Sequence, residues 1–161
     1  MLSIEKISVP KNTFLENYLM NGNYVDCYMT TMDKQISFPE FIFAFYTTWL
    51  FKVEAFILTY TVRKPSSDVE AKKLSIAEID KFAAWTVESR SENQMLMCDF
   101  VGRTRSWFMV ENAGDKTKLY FGSAVVPEKR GEGLGFIFIL LLGFHQIYSI
   151  LLLWSAKSKL Q

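Results

Sequence analysis

From Phe82 to Val126 the apolar residues fall largely at every second position, interrupted only by three short turn-forming stretches. A period of two is that of a half-buried β-strand. Phe82–Arg90, Gln94–Val101, Thr104–Glu111 and Thr117–Val126 therefore read as four strands. The connections Ser91-Glu92-Asn93, Gly102-Arg103 and 112–116 are too short for a crossover, so the strands form an antiparallel meander. Pro127 ends the last of them.

Taking Gly102-Arg103 as a two-residue turn sets Cys98 opposite Trp107 and Leu96 opposite Met109. Taking 112–117 as the next connection sets Glu111 opposite Lys118, Met109 opposite Tyr120 and Trp107 opposite Gly122. One face then carries Leu96, Cys98, Phe100, Arg105, Trp107, Met109, Tyr120 and Ala124. The other carries Met95, Met97, Phe108, Val110, Leu119, Phe121 and Val125, with Asp99, Ser106 and Ser123 near one end. An antiparallel sheet commonly wets one face, but neither of these is polar, so two covers are needed. One candidate is a C-terminal helix. The candidates for the other are helices at 38–61, a lipid, or a second copy of the chain.

The chain has 161 residues, 50% of them hydrophobic and 16% aromatic, enough for a single domain over 1–161 with a real core. With 18 Lys plus Arg against 17 Asp plus Glu, it lacks the basic footprint of a nucleic-acid binder. One histidine excludes a multi-histidine site. Cys27 and Cys98 show no zinc-binding spacing. No metal or other cofactor is expected. The two cysteines read as small hydrophobes in a reducing, cytoplasmic setting. The first twelve residues contain no apolar run of signal-peptide length.

Upstream of the meander, Tyr24–Met32 reads as a strand. Ser37 with Glu40 three residues on has capping-box spacing, and it opens a helical pattern that Thr47-Thr48 interrupts. Two short helices are expected, at 38–46 and 49–61. Arg63–Lys73 reads as a polar surface loop, and Ser75–Lys81 as one helical turn capped by Ser75 with Glu78 at the box position.

Gly133–Ala156 carries no formal charge and is long enough to span a bilayer. His145, Gln146, Tyr148 and Ser149 near its middle favour instead a buried helix at 134–158, whose neighbours satisfy them. A membrane anchor and an interfacial helix are the alternatives. Gly131, Gly133 and Gly135 precede this helix, but Phe136 stands where a dinucleotide-binding loop needs glycine, so a flexible loop is expected.

The order is strand, two short helices, antiparallel meander, long C-terminal helix: an α+β chain. It resembles the helix-grip fold of the START and Bet v 1-like (SRPBCC, polyketide-cyclase-like) superfamily, over roughly residues 24–160. The segments FYTTWLFKVEAFIL, RTRSWFMVENAG, KLYFGSAVVP and HQIYSILLLWSA are similar in wording to uncharacterised bacterial members. It departs from the usual pattern between helices and meander, where a polar loop and short helix stand in place of a hairpin. The resemblance implies a curved antiparallel sheet gripping the C-terminal helix, with an apolar cavity between them. It does not choose among carriers, receptors, cyclases and hydrolases.

The expected function is binding of a small apolar, amphipathic or lipid-like ligand. Trp85, Trp107, Met109 and Tyr120 would supply contact area, and Arg105, His145 and Tyr148 polar orientation. Each has a plainer reading: aromatics as core, Arg105 in an ion pair with Glu88, His145 as a hydrogen-bonded core histidine. The alternatives are an enzyme on the same scaffold, with His145, Tyr120 or Asp26 as acid or base, a structural homodimer, and a membrane-anchored domain.

Overall fold

A computed structural model of the chain describes the backbone of residues 4–52, 67–127 and 136–161. It is an α+β arrangement: a seven-stranded, wholly antiparallel open sheet and a C-terminal helix. The strands are β1 (Glu5–Lys6), β2 (Tyr24–Met32), β3 (Lys81–Phe82), β4 (Trp85–Arg90), β5 (Gln94–Asp99), β6 (Thr104–Ala113) and β7 (Lys116–Val125). They lie in the order β1-β2-β7-β6-β5-β4-β3. The helices are α1 (Phe14–Met20), α2 (Phe38–Tyr46), α3 (Asp68–Ser75) and α4 (Phe136–Leu160).

The expected strand Tyr24–Met32 forms with those bounds and pairs along its whole length with β7. Helix α2 starts where the capping box places it: the Glu40 amide donates to Ser37 Oγ (3.4 Å) and the Ser37 amide to Glu40 Oε2 (2.7 Å). It ends at Thr47, whose hydroxyl donates to the Phe43 carbonyl (2.6 Å). The Thr48 hydroxyl accepts from the Phe51 amide (3.2 Å) and so opens a second helix at 49–52. The rest of the expected 49–61 helix, and the glycines at 131–135, lie outside the described residues.

Three sequence readings are corrected. Residues 68–75 are helix, not loop. The cap is Ser67, with Glu70 completing the box, and Ala71 and Leu74 are wholly buried. Two Ser-x-x-Glu patterns stand eight residues apart, and the one followed by apolar residues that can bury wins. Second, the expected strand Phe82–Arg90 is a tight hairpin of β3 and β4 in which Phe82 pairs with Trp85. Ala83 takes a left-handed φ of 51°, a strain of about 1 kcal/mol. Burial of Phe82 against Tyr46 and Phe51, with ring centroids 5.0 and 6.0 Å away, offsets it.

Third, the β5–β6 register is two residues from the expected one: Cys98 faces Arg105 and Leu96 faces Trp107. The Asp99 carboxylate causes this by accepting from the amides of Arg103 (2.8 Å) and Thr104 (3.1 Å), which makes a four-residue turn of 100–103. An even shift leaves each side chain on its face. The β6–β7 register is as expected, with Glu111 opposite Lys118 and Trp107 opposite Gly122. Gly114, at φ 69°, opens the two-residue turn between them, a position where glycine carries no Cβ penalty.

Both sheet faces are covered, though not as expected. Helices α2, α3 and α4 all pack on one face, around Tyr28, Met95, Met97, Phe108, Leu119 and Phe121. The other face, with Cys27, Leu96, Trp107, Met109 and Tyr120, is covered by α1 through Leu15. No periodic pattern in the sequence marks this seven-residue helix. Thr13 caps it, accepting from the Glu16 amide, and the Glu16 carboxylate accepts from the Asn12 amide (2.7 Å). Leu15 reaches the sheet because residue 122 has no side chain: a Cβ there would lie 2.5 Å from Leu15 Cδ2 and 2.7 Å from the Asp26 carbonyl oxygen.

Along α4, Ser149, Leu152, Leu153 and Ala156 are buried, whereas Ile147, Leu151 and Trp154 are exposed. Lys157 donates to the Thr30 hydroxyl (2.9 Å) and Lys159 to the Thr47 carbonyl (2.9 Å). Among the described residues no helix is long and apolar enough to cross a membrane.

Candidate functional site

Antiparallel pairing places Asp26 directly opposite Ser123 and Ser123 opposite Ser106. Directly opposed residues share a face, so a short polar row crosses β2, β7 and β6 at one end of the face that α4 covers. Above it, one turn of α4 presents His145, Gln146, Tyr148 and Ser149.

The row and the helix are joined by hydrogen bonds. Asp26 Oδ1 accepts from the Ser123 hydroxyl (2.6 Å) and the Ser123 amide (3.2 Å), and Oδ2 accepts from the Tyr24 hydroxyl (3.1 Å). Gln146 donates to the Tyr24 oxygen (2.9 Å). Ser123 Oγ lies 2.8 Å from His145 Nε2. Asp26 and Ser123 are almost fully buried. Burial, above all, pushes the Tyr24 phenol up to about 12 and raises Tyr28 further, so both are neutral near pH 7.

The sequence is carboxylate, hydroxyl, imidazole, with serine in the middle. A serine nucleophile needs the imidazole to take its proton. Here the single hydroxyl proton is directed at Asp26, and the hydroxyl is buried behind the histidine. So arranged, the carboxylate and the hydroxyl orient His145.

Beside His145 lies a cavity of about 210 Å³ between sheet and α4. Its walls are largely aromatic and apolar, with Phe45, Tyr46, Phe51, Trp85, Phe121, Tyr148 and Leu152. Thr104, Ser106, His145 and Ser149 add polar groups, and Arg105 completes the described lining. One water needs about 10–15 Å³, so this is room for a ligand. Two lining residues hold buried polar atoms with no hydrogen-bond partner among the described residues, Trp85 Nε1 and Ser149 Oγ. The buried Tyr28 hydroxyl is the third such group nearby on the same sheet face.

Of the expected ligand-binding residues, Trp85, Arg105, His145 and Tyr148 come together at this cavity. The Arg105 guanidinium does not serve it. Nε pairs with Glu88 (2.6 Å) and the Tyr18 hydroxyl (2.9 Å), and the group lies over the Tyr18 ring of α1, on the far face. Tyr18 also donates to Glu88. Trp107, Met109 and Tyr120 are placed on that far face too, as core beneath α1. Trp107 Nε1 donates to Gln94 (3.1 Å), and the Tyr120 hydroxyl to Glu111 (2.6 Å). The expectation that they line a space beside the C-terminal helix is corrected: their face belongs to α1.

The sequence offers Asp26 as a candidate acid or base and Ser106 and Ser123 as polar positions, but not their connection to His145. The connection needs the β2–β7 register, which joins residues 97 apart in sequence. Cys27 is buried, its thiol pushed up to about 12, chiefly by burial. Among the described residues no group of three or more His, Cys, Asp or Glu is placed to hold a metal ion. Comparison of the chain with protein-family models, curated proteins and solved structures finds no match.

Proposed function

We propose that this chain binds a small, largely apolar molecule between its sheet and its C-terminal helix, on a helix-grip scaffold of the START and Bet v 1-like kind. The observation that carries the reading is the aromatic-walled cavity beside His145. The strand and helix order supports the scaffold: the long β2 neighbours the last strand of the meander, and the chain returns through α4 across the same face. The polar groups are few and gathered at one end, as in sites that take an apolar body with one polar head. Two unpaired thiols fit a reducing compartment, and the proposed location is the cytoplasm.

The test is native mass spectrometry together with titration of the neutral naphthalene dye prodan, on wild type and Leu152→Trp. Leu152 is buried in the cavity wall, and a larger side chain fills the space. Wild type is expected to carry a mass that is lost on denaturation, or to bind the dye, and folded Leu152→Trp to do neither. Equal binding by both proteins overturns the reading. The exposed stripe of Ile147, Leu151 and Trp154 favours a second, compatible property, self-association, which the same spectra register as a doubled mass.

A further inference from the structure

We propose that the cavity ligand is an uncharged molecule bearing a hydroxyl group, a phenol or alcohol, whose O–H donates to Nδ1 of His145. This rests on the binding reading above. Every hydrogen bond drawn to Asp26 comes from a donor: the Ser123 amide, the Ser123 hydroxyl and the Tyr24 hydroxyl. A hydroxyl has one proton. With that proton directed at Asp26, Ser123 Oγ can only accept from His145, so Nε2 carries the ring hydrogen. In the neutral imidazole Nδ1 then holds a lone pair. Nδ1 has no hydrogen-bond partner among the described residues, and His145 lines the cavity.

The complementary groups are donors. Trp85 Nε1–H and Ser149 Oγ–H sit buried on lining residues, with no partner among the described residues. A ligand hydroxyl donates with its proton and accepts with its oxygen, so it can serve Nδ1 and such a donor together. A carboxylate only accepts and an ammonium only donates. Charge points the same way. Arg105 is the one charged residue in the described lining, and its guanidinium is paired with Glu88 across the sheet. A ligand carboxylate would be desolvated against aromatic walls without a counter-ion.

Two measurements test this. The chain has a single histidine, so long-range proton–nitrogen spectra at pH 8 report its tautomer without assignment. A protonated Nε2 and bare Nδ1 are expected, with the Nδ1 resonance moving when 2-naphthol is added. A proton on Nδ1 overturns the proposal. The second is the affinity series 2-naphthol, 2-methylnaphthalene and 2-naphthoate, on wild type, His145→Phe and Ser123→Ala. In wild type the naphthol should bind about five- to tenfold more tightly than the methyl analogue, the increment of one hydrogen bond. The naphthoate should bind least. His145→Phe should abolish the preference, and Ser123→Ala, which frees the tautomer, should reduce it. Equal affinity for naphthol and methyl analogue in wild type overturns this inference while leaving the binding reading intact. Binding of none of the three overturns both.

Discussion

Arg105 Nε lies 2.6 Å from the Glu88 carboxylate, with the guanidinium against α1 rather than toward the cavity. Val87 packs on the face that α4 covers, so strand alternation turns Glu88 to the face of α1. Arg105→Ala should destabilise the protein by about 1–2 kcal/mol, through loss of a half-buried pair and a cation–π contact. Ligand affinity should stay within twofold. Urea denaturation and dye titration on one sample check both, and a larger affinity loss would place Arg105 in the site.

Gly122 is the contact point between α1 and the sheet. Gly122→Ala should cost about 1–3 kcal/mol, because the new methyl meets Leu15 and the Asp26 carbonyl oxygen. Adding Leu15→Ala removes only the side-chain clash. The double variant should therefore remain less stable than Leu15→Ala alone, in a thermodynamic cycle read by denaturation. Equal stability of those two would mean that the β2 backbone yields freely.

Gln94 holds α1 by accepting from both the Phe14 amide (3.2 Å) and the Trp107 indole (3.1 Å). Gln94→Ala leaves two donors unpartnered at a partly buried joint and should cost about 1–3 kcal/mol. Amide exchange should accelerate first in α1, while dye binding at the opposite face is retained. Uniform acceleration across all helices would show that α1 is not a separately opening unit.

Stability should fall in alkali. Cys27 rises from 9.0 to about 12 and Tyr24 from 10.0 to about 12, and Tyr28 and Tyr120 are raised as well, all chiefly by burial. Between pH 9 and 12 the folded chain therefore keeps protons that the unfolded chain releases. Unfolding is favoured as pH rises, and the stability is fully present below pH 9. The urea midpoint should decline from about pH 9, and Cys27→Ala should flatten the first part of that decline. A midpoint constant to pH 11.5 is incompatible with this burial.

What could be read from the sequence was local. Ser37 and Glu40 are three residues apart, and Glu111 meets Lys118 across one tight turn, so spacing alone placed them. The turn after Asp99 escaped because a side chain, not backbone length, sets its size. Helix α1 escaped because only seven residues give too little periodicity to stand out. The site escaped in part for a different reason. Asp26, Ser123 and His145 are brought together by non-local strand pairing and by a helix laid across it, and no pattern within either segment encodes the distance between them.

The placement of α1 also has a consequence in time. A ribosome makes Leu15 long before Trp107 and Tyr120, the residues it covers. At about 5–20 residues per second, the intervening hundred or so residues occupy several seconds to tens of seconds. Throughout that interval α1 has no sheet to dock on, and a seven-residue helix does not hold its shape alone. The far face of the sheet thus closes late, by the return of a segment made well before it, and anything that delays that return leaves Leu96 and Trp107 open to other chains.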